Sequence, residues 1–206
     1  MPALICLVEG PGDQDALPTL VTRILQDQQQ WNWYVGEVIV VRSLRKLHKN
    51  LAGYLSHALT KNNCQAILIA LDLDDGCPKE EAMTLAERIR SLQLAQPVAI
   101  VFAYREYEAW FLASLPTIAG HYGLLPDLVY EGEVEERRNA KEWLNQRMES
   151  NKRYNPTALQ KKFTSLIDLD LAYDKSRSFR RLYHAIEELI EGAEKGERGY
   201  VTPQKE

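Results

Sequence analysis

Glu9, Asp72 and Asp74 are the side chains of this sequence best placed to do chemistry, because each stands where an apolar run stops. Ala3-Leu4-Ile5-Cys6-Leu7-Val8 runs into Glu9-Gly10, and Ala66-Ile67-Leu68-Ile69-Ala70-Leu71 runs into Asp72-Leu73-Asp74. Asp72 and Asp74 lie two apart in an extended segment, so both side chains leave on one side while Leu73 points away. Carboxylates brought together repel, and each is driven to take up a proton unless a cation neutralises the group. Oxygen donors of this kind suit Mg²⁺ or Mn²⁺, which retain several waters and draw only a few carboxylates from the protein.

The elements that must position these acids follow from the hydrophobic pattern. The first apolar run has the form of a strand buried on both faces, and Leu17, Leu20, Val21, Ile24 and Leu25 after it have helical spacing, with Asp13 expected as the N-cap. The cycle repeats: a strand at Val35 to Val41 with a helix from Leu44 to Leu59, a strand at Ala66 to Leu71 with a helix from Glu80 to Leu92, and a strand at Pro97 to Ala103 with a helix from Glu106 to Leu115. Strands alternating with helices imply a mostly parallel, four-stranded sheet with helices on both faces, the doubly wound α/β class. Beyond Pro116 the strand signal ends, and Glu131 to Glu149, Pro156 to Leu166 and Ser178 to Ile190 read as helices. The expected organisation is one domain over residues 1–192, with a βα core (1–115), a helical cap (116–192) and a mobile tail (193–206).

In a parallel sheet, ligands bind beyond the carboxyl ends of the strands. Glu9, Asp72 and Asp74 belong to that edge, and the fourth strand runs towards Glu106 and Glu108. Asp75 before Gly76 reads equally well as a turn former.

The 206 residues carry a net charge of −4, which neither announces nor excludes nucleic acid; its distribution is more informative. No acid occurs from Val38 to Leu71, a window holding Arg42, Arg45, Lys46 and Lys49, and a second acid-free stretch holds Lys152, Arg153, Lys161 and Lys162. Arg177, Arg180 and Arg181 follow. Basic residues beside a metal site are what a phosphodiester substrate requires, although a solvated helical face accounts for them equally well. Trp31, Trp33 and Tyr34 precede the second strand and could stack on bases, with core packing the more ordinary role.

Other chemistries find less support. No Gly-Lys-Ser or Gly-Lys-Thr follows Gly10-Pro11-Gly12, which argues against a Walker loop. His48, His57, His121 and His184 lack zinc-ligand spacing, and no nucleophile elbow surrounds a serine or cysteine. Three cysteines without a CxxC pair point to a reducing cytoplasm, and no apolar stretch is long enough for a membrane span.

The Glu-Gly strand end at Glu9-Gly10, the Asp-x-Asp strand end at Asp72-Leu73-Asp74 and the segment Arg105-Glu106-Tyr107-Glu108-Ala109-Trp110 carry a family resemblance. The first two resemble the Toprim domain of topoisomerases, primases and overcoming-lysogenization-defect nucleases. Taken together they more closely resemble the DUF4276 family, which is grouped with Toprim-like folds. The resemblance implies that Glu9 acts as general acid/base or metal ligand while Asp72 and Asp74 hold Mg²⁺ or Mn²⁺ for phosphoryl transfer. It also implies further ligands for a second metal among Asp13, Asp15, Glu106 and Glu108. Pro11-Gly12 after Glu-Gly departs from the topoisomerase pattern, and no residue matches the nuclease's late basic residue, which leaves any catalytic lysine unassigned.

The expectation is therefore a cytoplasmic, metal-dependent phosphodiesterase, a nuclease of bacterial defence or nucleic-acid processing. Arg42, Arg45, Lys46, Lys49, Lys161 and Lys162 would flank its substrate. The alternative is a non-catalytic partner of an ATPase or other protein, with a residual metal site.

Overall fold

The structure, a computed structural model, describes residues 1–204. In chain order the elements are β1 (Ala3–Val8), α1 (Pro11–Asp27), β2 (Tyr34–Val40), α2 (Leu44–Lys49), α3 (Leu51–Leu59), β3 (Cys64–Leu73), α4 (Pro78–Arg90) and β4 (Val98–Tyr104). There follow α5 (Ala109–Ala113), α6 (Leu115–Ile118), α7 (Ala140–Asn145), α8 (Pro156–Thr164), α9 (Leu169–Lys175), α10 (Arg177–Lys195) and β5 (Val201–Thr202). The strands form one parallel sheet in the order β2-β1-β3-β4-β5.

The alternation of β1 and β3 divides their side chains between two cores, as a strand covered on both faces requires. Leu4, Cys6, Val8, Ala66, Leu68 and Ala70 face a layer containing α1, α5, α8 and α10. Ile5, Leu7, Ile67, Ile69, Leu71 and Leu73 face a layer containing α2, α3 and α4. Each fully buried Leu, Ile or Val in these layers contributes roughly 1.5–3 kcal/mol of transfer free energy. No helix among the described residues is long and apolar enough to cross a membrane.

The structure departs from expectation in several places. The sheet has five strands, because Val201 and Thr202 pair with Val98 and Ala99. That edge strand lies in the stretch expected to be a mobile tail, and two residues are too few to make a visible strand pattern. The expected helix from Glu131 to Glu149 is instead a 3-10 turn at Val134–Glu136 followed by the short α7. Leu44 to Leu59 is broken at Asn50, whose backbone caps one helix and begins the next. The helix after β4 is divided at Ser114 into α5 and α6, with proline in the first turn of α6. Finally, α1 begins at Pro11 with Gly10 as its N-cap, which makes Asp13 the third helical residue.

Candidate functional site

The strand order turns back between β1 and β3: β2 lies to one side of β1, and β3 and β4 continue on the other. In a doubly wound sheet this is where crossovers leave towards opposite faces and a crevice opens above the strand tips. Glu9 follows the tip of β1, and Asp72 is near the tip of β3, paired with Ala103 of β4.

Asp72 is held from its neighbour's continuation: its Oδ1 accepts the Tyr107 backbone N–H at 3.0 Å. Its carboxyl is raised well above the usual range by burial first, then by the charges of Glu108, Asp13 and Glu9. Glu9 is also raised, by burial and then by Asp13 and Asp74, partly offset by a hydrogen bond from the Asp72 backbone and by Lys141. Asp13 thus acts on both Glu9 and Asp72, Asp74 on Glu9, and Glu108 on Asp72, the condition under which one carboxylate disfavours ionisation of the next.

Asp13 reaches this cluster from the first turn of α1. Its Oδ2 accepts the Gly10 N–H at 2.9 Å, half of a capping box, and its Oδ1 accepts the Gln160 side-chain amide of α8 at 2.7 Å. Gly12 makes room for that approach: a Cβ there would lie 2.1 Å from Gln160 Oε1 and 3.1 Å from Pro156 Cβ. Asp13 and Asp72 together line a small cavity of about 10 Å³ over Leu17, Tyr107 and Trp110.

Glu108 is the most deeply covered acid of the set, with 1% of its surface exposed. The Tyr154 hydroxyl donates to its Oε1 at 3.0 Å, and Lys141 Nζ lies 3.9 Å from the same oxygen. Burial pushes the Glu108 carboxyl up to about 7, against the pull of Lys141. Burial alone would lower the Lys141 ammonium, but Glu108, Glu106, Asp72 and Asp13 outweigh it and raise the group. Glu106 fixes the start of α7 that carries this lysine, its Oε2 accepting the Lys141 backbone N–H at 2.9 Å. Lys141, Tyr154 and Gln160 have no signal in the sequence that marks them as site residues.

Asp74 is exposed just past β3. Beside it Asp75 is gripped by Arg138 at 2.6 Å and Arg105 at 3.2 Å, which hold its carboxyl below the usual range. Gly76 follows at φ +97°, in a bend over residues 74–76.

The basic residues divide. The Arg42 backbone lies beside the tip of β1: its N–H donates to the Glu9 carbonyl at 3.0 Å and its φ is +71°, with the residue exposed. Arg105 holds the corresponding position past β4, donating to the Leu73 carbonyl at 2.9 Å with φ +73°. Left-handed backbone in a non-glycine residue costs on the order of 1 kcal/mol, and both arginines adopt it at strand tips flanking the carboxylates. Arg45, Lys46 and Lys49 are exposed on α2, in the layer of α4, whereas Lys161 and Lys162 are on α8 in the opposite layer. Lys162 Nζ lies 5.3 Å from the ring centre of Tyr122. Of the aromatics before β2, Trp33 is core and Trp31 is 68% exposed.

The sequence model of the family described as Domain of unknown function (DUF4276) matches residues 8–187. The chain belongs to the DUF4276 family. No curated protein and no solved structure matches it. In this DUF4276 chain the match runs from the tip of β1 through most of α10, and so spans every site residue described above.

Whether the site fits a divalent cation turns on the donors. Among the described residues, no three His, Cys, Asp or Glu side chains are gathered as a ready metal-binding set. Mg²⁺ does not need one, since it commonly takes one or two carboxylates and fills its shell with water. The donors are all oxygens; Glu9 and Asp72 are raised first by burial and then by neighbouring acids, and a cation would offset the second part. The residues fit a hard, largely hydrated cation better than a closed cage.

Proposed function

We propose that this DUF4276 protein is a Toprim-like, Mg²⁺- or Mn²⁺-dependent phosphodiesterase acting on nucleic acid. The observation that carries the reading is the placement of Glu9 and Asp72 at the tips of the adjacent strands β1 and β3, where the sheet order reverses. Glu9, Asp72 and Asp74 are the residues that would hold the metal, with Asp13 and Glu108 as candidates for a second. A bound divalent ion supplies charge neutralisation at the phosphate and lowers the pKa of attacking water.

The chain's own residues account for the remaining roles. Glu9, at the tip of β1 beside Asp72, would either hold the metal or, where the metal rests on Asp72 and Asp74, accept the proton of the attacking water. Lys141, held as an ammonium by the surrounding acids, is suited to stabilise charge on the departing oxygen. Arg42, exposed just past β2 with its backbone on the Glu9 carbonyl, is a cation that a neighbouring phosphate could recruit, and Tyr154 and Gln160 hold Glu108 and Asp13 in place. Arg45, Lys46 and Lys49 on one layer and Lys161 and Lys162 on the other would contact a longer strand lying across the tips.

The test is cleavage of single- and double-stranded DNA and RNA with Mn²⁺, Mg²⁺ or chelator, comparing wild type with Glu9→Ala and Asp72→Ala. Metal-dependent cutting lost in both variants supports the proposal. No cutting by wild type, or equal cutting by the variants, removes the stand-alone nuclease. A second reading, a non-catalytic partner of an ATPase or other protein, draws on the cap: Tyr122, Leu125 and Val129 are 46%, 40% and 72% exposed within one short stretch.

A further inference from the structure

Tyr122, in the loop after α6, combines an unfavourable backbone shape with an exposed aromatic side chain. Its φ is +51°, in the left-handed region, and it stands between Gly120 at φ +80° and Gly123 at φ +89°. It is 46% exposed. The loop is fixed from both sides: the Gly120 N–H donates to the Leu125 carbonyl at 3.1 Å, the Leu125 N–H to the Arg147 carbonyl at 2.9 Å and the Glu149 N–H to the Gly123 carbonyl at 2.8 Å. Strain of this kind persists where the surroundings impose it, and here they keep an aromatic residue at the surface.

The ring ends a chain of aromatic contacts that leads to the carboxylates. Its centre lies 6.2 Å from that of Phe163, Phe163 stacks on Tyr154 at 5.7 Å and 14°, and the Tyr154 hydroxyl donates to Glu108. The acid-free stretch over residues 151–167 meets the loop at two points: the Lys152 stem packs on Gly123, and Lys162 Nζ stands 5.3 Å from the centre of the Tyr122 ring. Arg153, Lys161 and Lys162 are exposed, and among the described residues no carboxylate pairs with any of them. Glu149, beside this stretch, is held by Lys152 at 2.8 Å. An exposed ammonium over a ring is bound weakly and a stacked nucleobase more strongly, so a base can displace the lysine and leave it for a phosphate.

We propose that Tyr122, with Arg153, Lys161 and Lys162, forms a surface that binds single-stranded nucleic acid, one base stacking on Tyr122 and the cations meeting neighbouring phosphates. A duplex keeps its bases stacked on one another and offers none to Tyr122, whereas a surface of charge alone would favour the duplex for its denser phosphates. An acidic polypeptide would satisfy the cations and leave the ring unused. The choice of nucleic acid over another polyanion rests on the phosphodiesterase reading, to which this surface adds the single strand as substrate class.

The experiment is fluorescence anisotropy with the full chain in chelator, so that no metal-dependent cutting intervenes. The probe is a labelled oligothymidine about ten nucleotides long, set against an abasic strand and a duplex of the same length and against polyglutamate. Wild type is expected to bind the oligothymidine saturably and about fivefold or more tighter than the abasic strand or the duplex. Tyr122→Leu is expected to weaken binding about fivefold to tenfold, and Tyr122→Trp to match or exceed wild type. Lys162→Gln is expected to lower the slope of log affinity against log salt by about 0.7, the share of one phosphate contact on a single strand. The comparison of probes on wild type stands even where a variant fails to fold. No saturable binding, equal affinity for the abasic strand or the duplex, displacement by polyglutamate at equal charge, or wild-type binding by folded Tyr122→Leu would each overturn the proposal. Binding by a wild type that cuts nothing would remove the nuclease and leave this surface standing; cutting by a wild type whose binding ignores Tyr122→Leu would do the reverse.

Discussion

Lys141 Nζ lies 3.9 Å from Glu108 Oε1, which makes a half-exposed lysine the counter-charge of a carboxylate that is 1% exposed. The pair joins α7 to the segment after β4, and the wider carboxylate cluster depends on it for positive charge.

Removing that charge is expected to cost stability in a pH-dependent way. Lys141→Ala should lower unfolding free energy by about 1–2 kcal/mol above neutrality, less than the loss of a fully buried ion pair because the lysine is solvated and Glu108 can take up a proton. Below the Glu108 value of about 7 the loss should shrink. Urea denaturation of both proteins on either side of neutrality measures the difference. An equal loss at both values assigns Lys141 a packing role alone.

Glu108 itself predicts a slope. Its folded-state carboxyl is raised from 4.5 to about 7, so its contribution to stability is fully present below 4.5 and is lost as pH rises through about 7. The integrated effect is at most about 3 kcal/mol. Glu108→Gln, which can still accept from Tyr154, should flatten that part of the wild-type pH–stability curve. A variant curve parallel to wild type across the window would contradict the assignment.

For Asp72, stability and function should diverge. Burial and the neighbouring acids disfavour its ionised form, so Asp72→Asn, whose Oδ1 can still accept the Tyr107 N–H, should gain about 1 kcal/mol at alkaline pH and nothing in acid. Mg²⁺ or Mn²⁺ should raise the melting temperature of wild type, by an amount equivalent to about 2.7 kcal/mol at a hundredfold excess over Kd, and leave the variant unmoved. Thermal scans with and without metal test both statements; identical metal shifts in the two proteins would count against Asp72 as a ligand.

Asp13 and Gln160 should behave as a coupled pair. Each single alanine substitution breaks the 2.7 Å contact between α1 and α8, and Asp13→Ala also removes the hydrogen bond to Gly10. The cap is worth about 1 kcal/mol and the coupling energy of the double-mutant cycle should be about 0.5–1.5 kcal/mol. Gly12→Ala should mimic Gln160→Ala by displacing that side chain. Additive single effects would show that the contact contributes nothing to stability.

Much of the fold and the first half of the site were legible along the chain. Continuous apolar runs identify β1, β3 and β4 because strands covered on both faces have no polar side, and the helical spacing after each run requires parallel crossovers. Glu9 and Asp72 could be assigned to one edge of the sheet because a parallel sheet puts all its carboxyl ends together. The capping geometry of Asp13 was less legible, since Gly10, Asp13 and Pro11 all favour a helix start and only the backbone dihedrals choose between them.

What only the tertiary structure decided involves residues distant in sequence and ordinary in their local surroundings. Lys141 sits in a charged stretch whose local pattern suggests a solvated helix; it becomes part of the site because Glu106 fixes the start of α7 beside Glu108. Tyr154 and Gln160 are brought in by the packing of α8 on the α1 layer, and β5 exists because β4 offers an unpaired edge to two residues near the end of the described chain. Strand and helix identity come from local periodicity and the burial it permits, which one sequence carries by itself. Which long-range side chains meet is set by how the layers pack and by the burial of their charges, and no local pattern encodes that.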